Sequence, residues 1–308
     1  MFCGCLKNTT TIIDNNSKIS DIIISNKLHK HFLKFNNSKV LFDIKEYNPK
    51  KLGEGSSTTY KIIVKNDNAY ICKRYQKVKK EHENEIFKEI KILKQIQSKR
   101  FPSFCTYFKQ LDVIYVFYDY INGENLFEIL DNYYYKINNI NSQLSIIYEI
   151  TKGLYNLTQY NLIHLDLKPK NIIITNFNPI KLKLINLKCA HNIKKSKIRR
   201  ECGTIGYTSP EVILHKKYYY NSDIWSLGCI SFLLLTHTQI FPIEPVSYIK
   251  TLKSFISIYR INNKITNILN KLPTNISNLL NKMLKYQHTN RINMTQILKH
   301  NIMKNKYI

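Results

Sequence analysis

Residues His164 to Asn171 read HLDLKPKN, and this stretch decides the interpretation of the chain. It places a carboxylate at Asp166, an ammonium group at Lys168 and an amide at Asn171. A carboxylate can accept the proton of a hydroxyl group, and an amide oxygen can hold a metal ion. Because one short motif supports only a hypothesis, the rest of the sequence has to supply matching residues at suitable distances.

The length and composition indicate a globular protein with a large core. The chain has 308 residues, 44% of them hydrophobic, which fits one two-lobed domain of about 250 residues plus a tail. No apolar run reaches the roughly 18 residues of a membrane-spanning helix. The first residues also lack the apolar core of a secretory signal.

The chain is strongly basic, with 47 Lys and Arg against 21 Asp and Glu and a net charge of +26. Such a charge attracts acidic proteins, nucleic acids or anionic membranes. The cations are spread along the whole chain, however, and no RNA-binding motif accompanies them, so we do not expect nucleic-acid binding. Seven cysteines without a C-x-x-C pair predict a reduced, intracellular and cytoplasmic protein.

Hydrophobic periodicity predicts strands first and helices later, an α+β arrangement in two parts. Residues 1–45 are polar, and we expect an extension with weak structure there. Residues 138–141 are rich in Asn and predict a loop. The predicted strands are Tyr47–Lys65 (strand, glycine turn, strand), Ala69–Arg74 and Val113–Tyr120, and the predicted helices include Lys80–Ile96, Ser145–Tyr160, Tyr220–Thr236 and Ile276–Leu284.

Residues 46–303 resemble a protein kinase domain, because most landmarks of that family occur in order around HLDLKPKN. The resemblance implies a bilobal α+β fold. A small β-rich N-lobe with one long helix would span 46–119, and a larger helical C-lobe would span 120–303. Residues 304–308 would form a tail. It also implies that ATP and Mg²⁺ are the cofactors.

In the N-lobe, the resemblance assigns nucleotide binding to a glycine loop and an ion pair. Gly53 and Gly55 would let backbone amides approach phosphates, although Thr58 stands at the third glycine of the family pattern. Lys73 matches the phosphate-binding lysine, and Glu89 matches its partner on the predicted helix.

The predicted adenine pocket departs from the family pattern. Ile71 replaces a usual Ala, Tyr60 a usual Val, and Tyr118 stands at the gate before the hinge residues Asp119 and Ile121. Larger side chains in a packed site leave less room for a base. If the strand register differed by one residue, however, Tyr60 would face away from the pocket.

In the C-lobe, the resemblance makes Asp166 the catalytic base, Lys168 the residue that steadies the transferred phosphoryl group, and Asn171 a magnesium ligand. Lys168 together with Thr204 is similar to Ser/Thr kinases rather than Tyr kinases. Asn186 replaces the aspartate of the family's Asp-Phe-Gly, which predicts weakened metal binding. Lys188 replaces its glycine.

Other matches have regulatory or structural roles in the family. Leu165 replaces the arginine that grips an activation-loop phosphate, so phosphorylation of that loop, for example at Ser196, should not switch this protein. Glu211 is expected to pair with Arg291 as a buried salt bridge. Asp223 is expected on a helix that anchors the catalytic loop from below.

Two functions stay open on the sequence alone. One is ATP-dependent phosphoryl transfer to Ser or Thr of a protein substrate, and the other is a pseudokinase that scaffolds or regulates a partner. Cys3 and Cys5 lie beside basic residues and allow acylation and peripheral membrane association, or they belong to a floppy tail. The absence of Gly at position 2 argues against N-myristoylation.

Overall fold

A computed structural model describes residues 19–24, 30–35, 38–46, 57–63, 69–76, 78, 80–110, 112–194, 202–215, 217–241 and 263–304. The chain divides into two compact units. The N-terminal unit comprises Met1–Gln95 and Pro102–Ile121, and the C-terminal unit comprises Ile96–Phe101 and Asn122–Ile308.

A seven-stranded antiparallel sheet forms most of the N-terminal unit, with strand order β1-β2-β3-β4-β5-β7-β6. Its strands are rich in β-branched and aromatic residues, which favour the extended backbone. The strands are β1 (Ile19–Ile24), β2 (Lys30–Phe35), β3 (Ser38–Glu46), β4 (Ser57–Ile63), β5 (Ala69–Tyr75), β6 (Phe104–Gln110) and β7 (Val113–Asp119).

One long helix, α1 (Lys80–Gln95), accompanies this sheet and confirms the helix predicted over Lys80–Ile96. Ile86, Glu89, Ile90 and Leu93 are buried at a spacing of three and four residues, so they line one face of the helix. On the same helix, the Phe87 ring meets Tyr107 of β6 edge-on with centroids 5.0 Å apart.

The prediction for residues 1–45 was wrong about their secondary structure, because β1, β2 and most of β3 lie there. Apolar runs such as Ile22–Ile24 in β1 and Val40–Phe42 in β3 are short, but each is hydrogen-bonded to β2 in the sheet. β3 pairs with β4, so that Glu46 lies opposite Tyr60. The predicted glycine turn lies outside the described residues.

Helices dominate the C-terminal unit, which confirms the predicted α+β arrangement. Five short strands accompany eight helices in the described part. The helices are α2 (Leu126–Asn132), α3 (Ile140–Gln159), α4 (Pro210–His215), α5 (Tyr220–Thr236), α6 (Asn263–Asn270), α7 (Thr274–Met283), α8 (Met294–Leu298) and α9 (Asn301–Lys304). The strands are β8 (Glu124–Asn125), β9 (Leu162–Ile163), β10 (Ile172–Phe177), β11 (Ile180–Leu184) and β12 (His191–Asn192).

The core of this unit lies around α3 and α5. Every residue of α5 from Ser222 to Phe232 is buried, including Trp225. At Gly228 an added Cβ would lie 2.8 Å from a methyl carbon of Leu284, so only glycine lets this residue approach the helix so closely. A fully buried helix supplies a rigid base for the loops that surround it.

Candidate active site

The loop after β9 carries the predicted catalytic residues, and Asp223 of α5 holds it from the core. The two oxygens of the Asp223 carboxylate accept hydrogen bonds from the backbone N–H of His164 at 2.7 Å and of Leu165 at 2.9 Å. Leu165 has a φ of 64°, a left-handed backbone that is rare for leucine. The paired acceptors stabilise this turn, as the predicted anchoring role requires.

The Asp223 carboxyl is nearly inaccessible to solvent at 1% exposure. Burial raises its pKa above the usual value, and the nearby His164 and the two backbone N–H groups only partly offset that effect. Burying the Asp223 carboxylate therefore costs free energy, but this carboxylate is needed to accept the two backbone hydrogen bonds of the catalytic loop.

His164 is a positioning residue that the sequence analysis did not single out. Its ring is fully buried, Nε2 lies 3.2 Å from the Ile185 carbonyl, and Nδ1 accepts a 3.3 Å hydrogen bond from the Asp166 backbone N–H. These contacts fit a ring protonated at Nε2. His164 thus connects Asp166 with Ile185, the residue before Asn186. The sequence feature that could have indicated this role is the position of His164 at the start of HLDLKPKN.

The carboxylate of Asp166 lies at the centre of a polar cluster. Thr204 Oγ1 donates a 2.6 Å hydrogen bond to Oδ1, and Lys168 Nζ lies 3.2 Å from Oδ2. Lys168 also donates to Thr204 Oγ1 at 2.7 Å. Asn171 Nδ2 donates to the Asp166 carbonyl at 2.7 Å and to Oδ2 at 3.1 Å. The carboxylate is therefore held in one orientation by three side chains.

Thr204 reaches this cluster because the backbone turns sharply before it. Gly203 has a φ of 106°, and an added Cβ would lie 2.4 Å from Thr208 Oγ1. Glycine is required at this point for both reasons. The Thr204 hydroxyl consequently bridges Asp166 and Lys168, two residues that the sequence placed in the site.

Asn171 and Asn186, the two predicted metal ligands, lie side by side. Asn186 Nδ2 approaches Asn171 Oδ1 at 3.5 Å, and Asn186 has a left-handed backbone with φ 65°. Their amide oxygens are the hard donors that Mg²⁺ accepts, so the pair fits the ion, but neither side chain brings a negative charge. Among the described residues, no cluster of three or more His, Cys, Asp or Glu could hold a metal.

Apolar side chains surround Leu165, where the family has an arginine. Leu165 packs in a buried cluster with Ile163 and Cys202, and Cys189 and Tyr218 pack against the cluster. A phosphate on the neighbouring loop would find no cation at Leu165 itself. Ser196, the loop residue considered for phosphorylation, lies outside the described residues.

Glu211 and Arg291 form the ion pair expected from the sequence, across 80 residues. The Arg291 side chain is completely buried, and its two terminal nitrogens donate to the carboxylate at 2.6 and 2.7 Å. Burial alone would raise the pKa of Glu211, but the hydrogen bonds and charge of Arg291 outweigh burial and lower it. Arg291 also lies over the Trp225 ring at 5.0 Å, so the pair is part of the core.

In the N-terminal unit, Lys73 of β5 lies between a carboxylate and an aromatic ring. Its Nζ is 3.9 Å from Glu89 Oε1 and 5.1 Å from the centroid of the Tyr118 ring. Burial, and then the charge of Glu89, raise the pKa of both Tyr75 and Tyr118 well above the usual phenol value. The predicted Lys73–Glu89 ion pair is present but long, and the Lys73 ammonium also contacts the face of the Tyr118 ring.

The remaining predicted nucleotide-binding residues are only partly described. Ile71 is half-buried and lies opposite Tyr118 in the β5–β7 register, and Ile121 is also half-buried. Asp119 is exposed and its Oδ1 accepts from the Cys105 thiol at 3.1 Å. Gly53 and Gly55, the predicted phosphate loop, lie outside the described residues, as do Cys3 and Cys5. No helix of the described residues is long and apolar enough to cross a membrane.

Sequence comparisons agree with this geometry. Aurora kinase of Saccharomyces cerevisiae is 27% identical over 267 residues, covering 83% of this chain and 69% of the relative. The probable serine/threonine-protein kinase 2 of Plasmodium falciparum is 29% identical over 189 residues, covering 60% of this chain and 36% of the relative.

A third relative, the serine/threonine-protein kinase Nek9 of Xenopus laevis, is 29% identical over 153 residues, half of this chain but 16% of the relative. The chain thus spans well under half of the second and third relatives. The family model described as protein kinase domain matches residues 47–303. The match extends over most of the chain, which therefore belongs to the protein kinase domain family.

Proposed function

We propose that this protein transfers the γ-phosphoryl group of ATP to a serine or threonine hydroxyl of a protein substrate. The observation that carries the proposal is the Asp166 carboxylate, held by Lys168, Thr204 and Asn171 at 2.6–3.2 Å. The pairing of Lys168 with Thr204 supports Ser/Thr rather than Tyr chemistry.

In this proposal Asp166 orients the substrate hydroxyl and receives its proton. The hydroxyl oxygen forms a bond to the γ-phosphorus as the bond from that phosphorus to the β,γ-bridging oxygen breaks and ADP leaves. Lys168 stabilises the negative charge of the transferred group, and Lys73 binds the nucleotide phosphates. Glu89 keeps the Lys73 ammonium on the sheet.

Asn171 and Asn186 would hold Mg²⁺ through their amide oxygens, and the bound ion would neutralise charge on the phosphates. Because both ligands are neutral, we infer weaker metal binding than a carboxylate would give. Loss of one preorganised electrostatic group typically lowers a rate by about 10²–10³. We therefore expect a slow kinase.

Two observations favour a second function, a pseudokinase that binds a regulated partner through its shape. Asn186 supplies no charge to the metal site, and the Tyr118 ring lies 5.1 Å from Lys73, on which phosphate binding depends. A protein of this kind would retain the buried Glu211–Arg291 pair and the Asp223 anchor because they stabilise the fold.

A melting experiment combined with a transfer assay separates the two functions. A ligand at about 100 times its dissociation constant stabilises a folded protein by about 2.7 kcal/mol. We expect Mg-ATP to raise the melting temperature and labelled phosphate to enter a protein substrate. A chain that shows neither the melting shift nor transfer is a pseudokinase.

A further inference from the structure

Tyr118 contacts Lys73 from within the same sheet, whereas Glu89 contacts it from a helix. β5 and β7 are neighbouring strands, with Ile71 opposite Tyr118 and Lys73 opposite Val116. Opposite residues, and residues two apart along a strand, point to the same face of a sheet. Lys73 and Tyr118 are therefore diagonal neighbours on one face, a distance that a long side chain and an aromatic ring can span.

The contact of Lys73 with Glu89 is the weaker kind of ion pair. The Nζ–Oε1 distance of 3.9 Å exceeds the length of a hydrogen bond, about 2.7–3.2 Å. Lys73 Nζ also lies 5.1 Å from the centroid of the Tyr118 ring, and the lysine side chain is 21% exposed. A cation over an aromatic face is attracted more strongly where most of the water is excluded. The ring is therefore a second significant partner of the ammonium group.

Tyr118 acts on Lys73 as a neutral ring. Its side chain is buried, and burial, together with the charge of Glu89, raises the pKa of its phenol well above the usual value. The attraction for the ammonium group therefore comes from the π face and not from a phenolate. Phenylalanine at this position would keep the attraction, and leucine would remove it.

We propose that Tyr118 is a second positioning residue for Lys73, which holds the ammonium group at the sheet without a contribution from α1. The inference rests on the proposed function, in which Lys73 binds the nucleotide phosphates. β5 and β7 pair over Tyr70–Tyr75, so the ring keeps its place beside Lys73 whatever the position of α1. Nucleotide binding should then depend only weakly on Glu89.

Nucleotide binding tests the proposal without requiring turnover. Isothermal titration measures the affinity of the full chain for ATP with Mg²⁺. We expect Lys73→Met to lower this affinity by at least about tenfold, because a phosphate loses its cation. Glu89→Gln should lower it by less than about threefold, because the ring still positions the ammonium group.

Two substitutions of Tyr118 in the Glu89→Gln background separate the ring from the hydroxyl group. Tyr118→Leu should bring the affinity close to that of Lys73→Met, because both partners of the ammonium group are then lost. Tyr118→Phe keeps the ring and should stay within about twofold of Glu89→Gln alone.

A double-mutant cycle in urea unfolding tests the same contact without nucleotide. Tyr118→Leu should lower the folding equilibrium constant about threefold less in the Lys73→Met background than in wild type, because the attraction is already absent there. Tyr115→Leu is the matched control, since Tyr115 lies on the opposite face of β7 with Arg74 over its ring at 5.9 Å. Its effect should agree within about twofold in the two backgrounds.

The outcomes are distinguishable from those of the catalytic proposal. Equal effects of Tyr118→Leu in wild type and in Lys73→Met would overturn the inference, as would an affinity of Glu89→Gln as low as that of Lys73→Met. An affinity of the Tyr118→Phe variant as low as that of the Tyr118→Leu variant would also overturn it. The expected coupling in unfolding, without measurable binding of Mg-ATP, would support the inference and reject the kinase activity.

Discussion

At the scale of single residues, the proposed activity depends most on Asn186. Its amide lies 3.5 Å from the amide of Asn171, on a left-handed backbone that Asp also tolerates. A change to Asp alters the charge and almost nothing in the shape of the side chain. The metal site can therefore be tested without disturbing the loop.

Asn186→Asp should strengthen the binding of Mg-ATP and increase the transfer rate by at least tenfold, because a carboxylate adds negative charge to the metal ligands. Titration of Mg²⁺ at fixed ATP, followed by melting temperature and phosphate incorporation, measures both effects. Asn281→Asp, which adds the same charge at an exposed residue of α7, is the control. If Asn186→Asp matched wild type in both measurements, the missing carboxylate at position 186 would not be what limits metal binding or the transfer rate.

Tyr118 is predicted to stabilise the N-terminal unit through its ring. The side chain is 4% exposed and its ring lies 5.1 Å from Lys73 Nζ. Tyr118→Leu should lower the free energy of unfolding by about 2–3 kcal/mol, because the ring contacts and the cation–π attraction are lost. Tyr118→Phe keeps the ring and should cost less than about 1 kcal/mol. If Tyr118→Leu and Tyr118→Phe lowered the free energy of urea unfolding equally, the aromatic ring would not contribute to stability.

At the scale of elements, the sequence predicted those contacts and helix bounds that depend on residues close together in the chain. Asp166, Lys168 and Asn171 lie within six residues, so their hydrogen bonds could be expected from HLDLKPKN. The helix α5 begins and ends as predicted, at Tyr220 and Thr236, and its apolar residues run with few interruptions from Ile224 to Leu235. Periodicity is most reliable for long and strongly patterned elements.

The start of α3 was predicted wrongly, as a loop over 138–141. The helix begins at Ile140, because the Asn139 side chain accepts from the Ser142 backbone N–H and caps the first turn. The Asn-rich composition indicated a loop, although Asn is also a favoured capping residue. The contacts of Thr204 and Tyr118 could not be predicted either, since they join elements far apart in sequence.

The anchoring of the catalytic loop by α5 gives an element-scale prediction. In Asp223→Asn only one oxygen remains for the two backbone N–H groups. We therefore expect the transfer rate to fall at least tenfold, because catalytic groups that are out of place lower a rate in general.

The pKa of Asp223 is raised in the folded protein. The stabilising contribution of this carboxyl group is therefore present below the pKa that Asp223 has in the unfolded chain, and it is lost as pH rises through the folded-state value.

At pH 8 the variant should therefore retain most of its stability despite the loss of rate. Thermal melting and transfer assays at that pH measure the two quantities. A variant that melts far lower and transfers normally would contradict the anchoring role.

At the scale of the whole molecule, Glu211 and Arg291 connect distant parts of the C-terminal unit. Glu211→Gln should lower the free energy of unfolding by about 3 kcal/mol at pH 7, because a buried arginine loses its counter-charge. Glu128→Gln, at an exposed residue of α2, should change the free energy of unfolding by less than about 0.5 kcal/mol. Denaturant unfolding measures both variants.

The pH dependence of this pair has a definite sign. The pKa of Glu211 is lowered in the folded protein, so its contribution is complete above the unfolded value of about 4.3 and is lost as pH falls through the folded-state value. The difference between wild type and Glu211→Gln should therefore shrink only in acid. A difference that stays constant down to pH 3 would contradict the ionic role of Glu211.

The proposed role of Asp166 is tested by the transfer of labelled γ-phosphate from Mg-ATP to a protein substrate by wild type and Asp166→Asn. The amide keeps the size of the side chain but cannot accept the hydroxyl proton. We expect slow but measurable incorporation by wild type and none above background by Asp166→Asn. Equal incorporation by the two proteins would show that Asp166 is not the catalytic base.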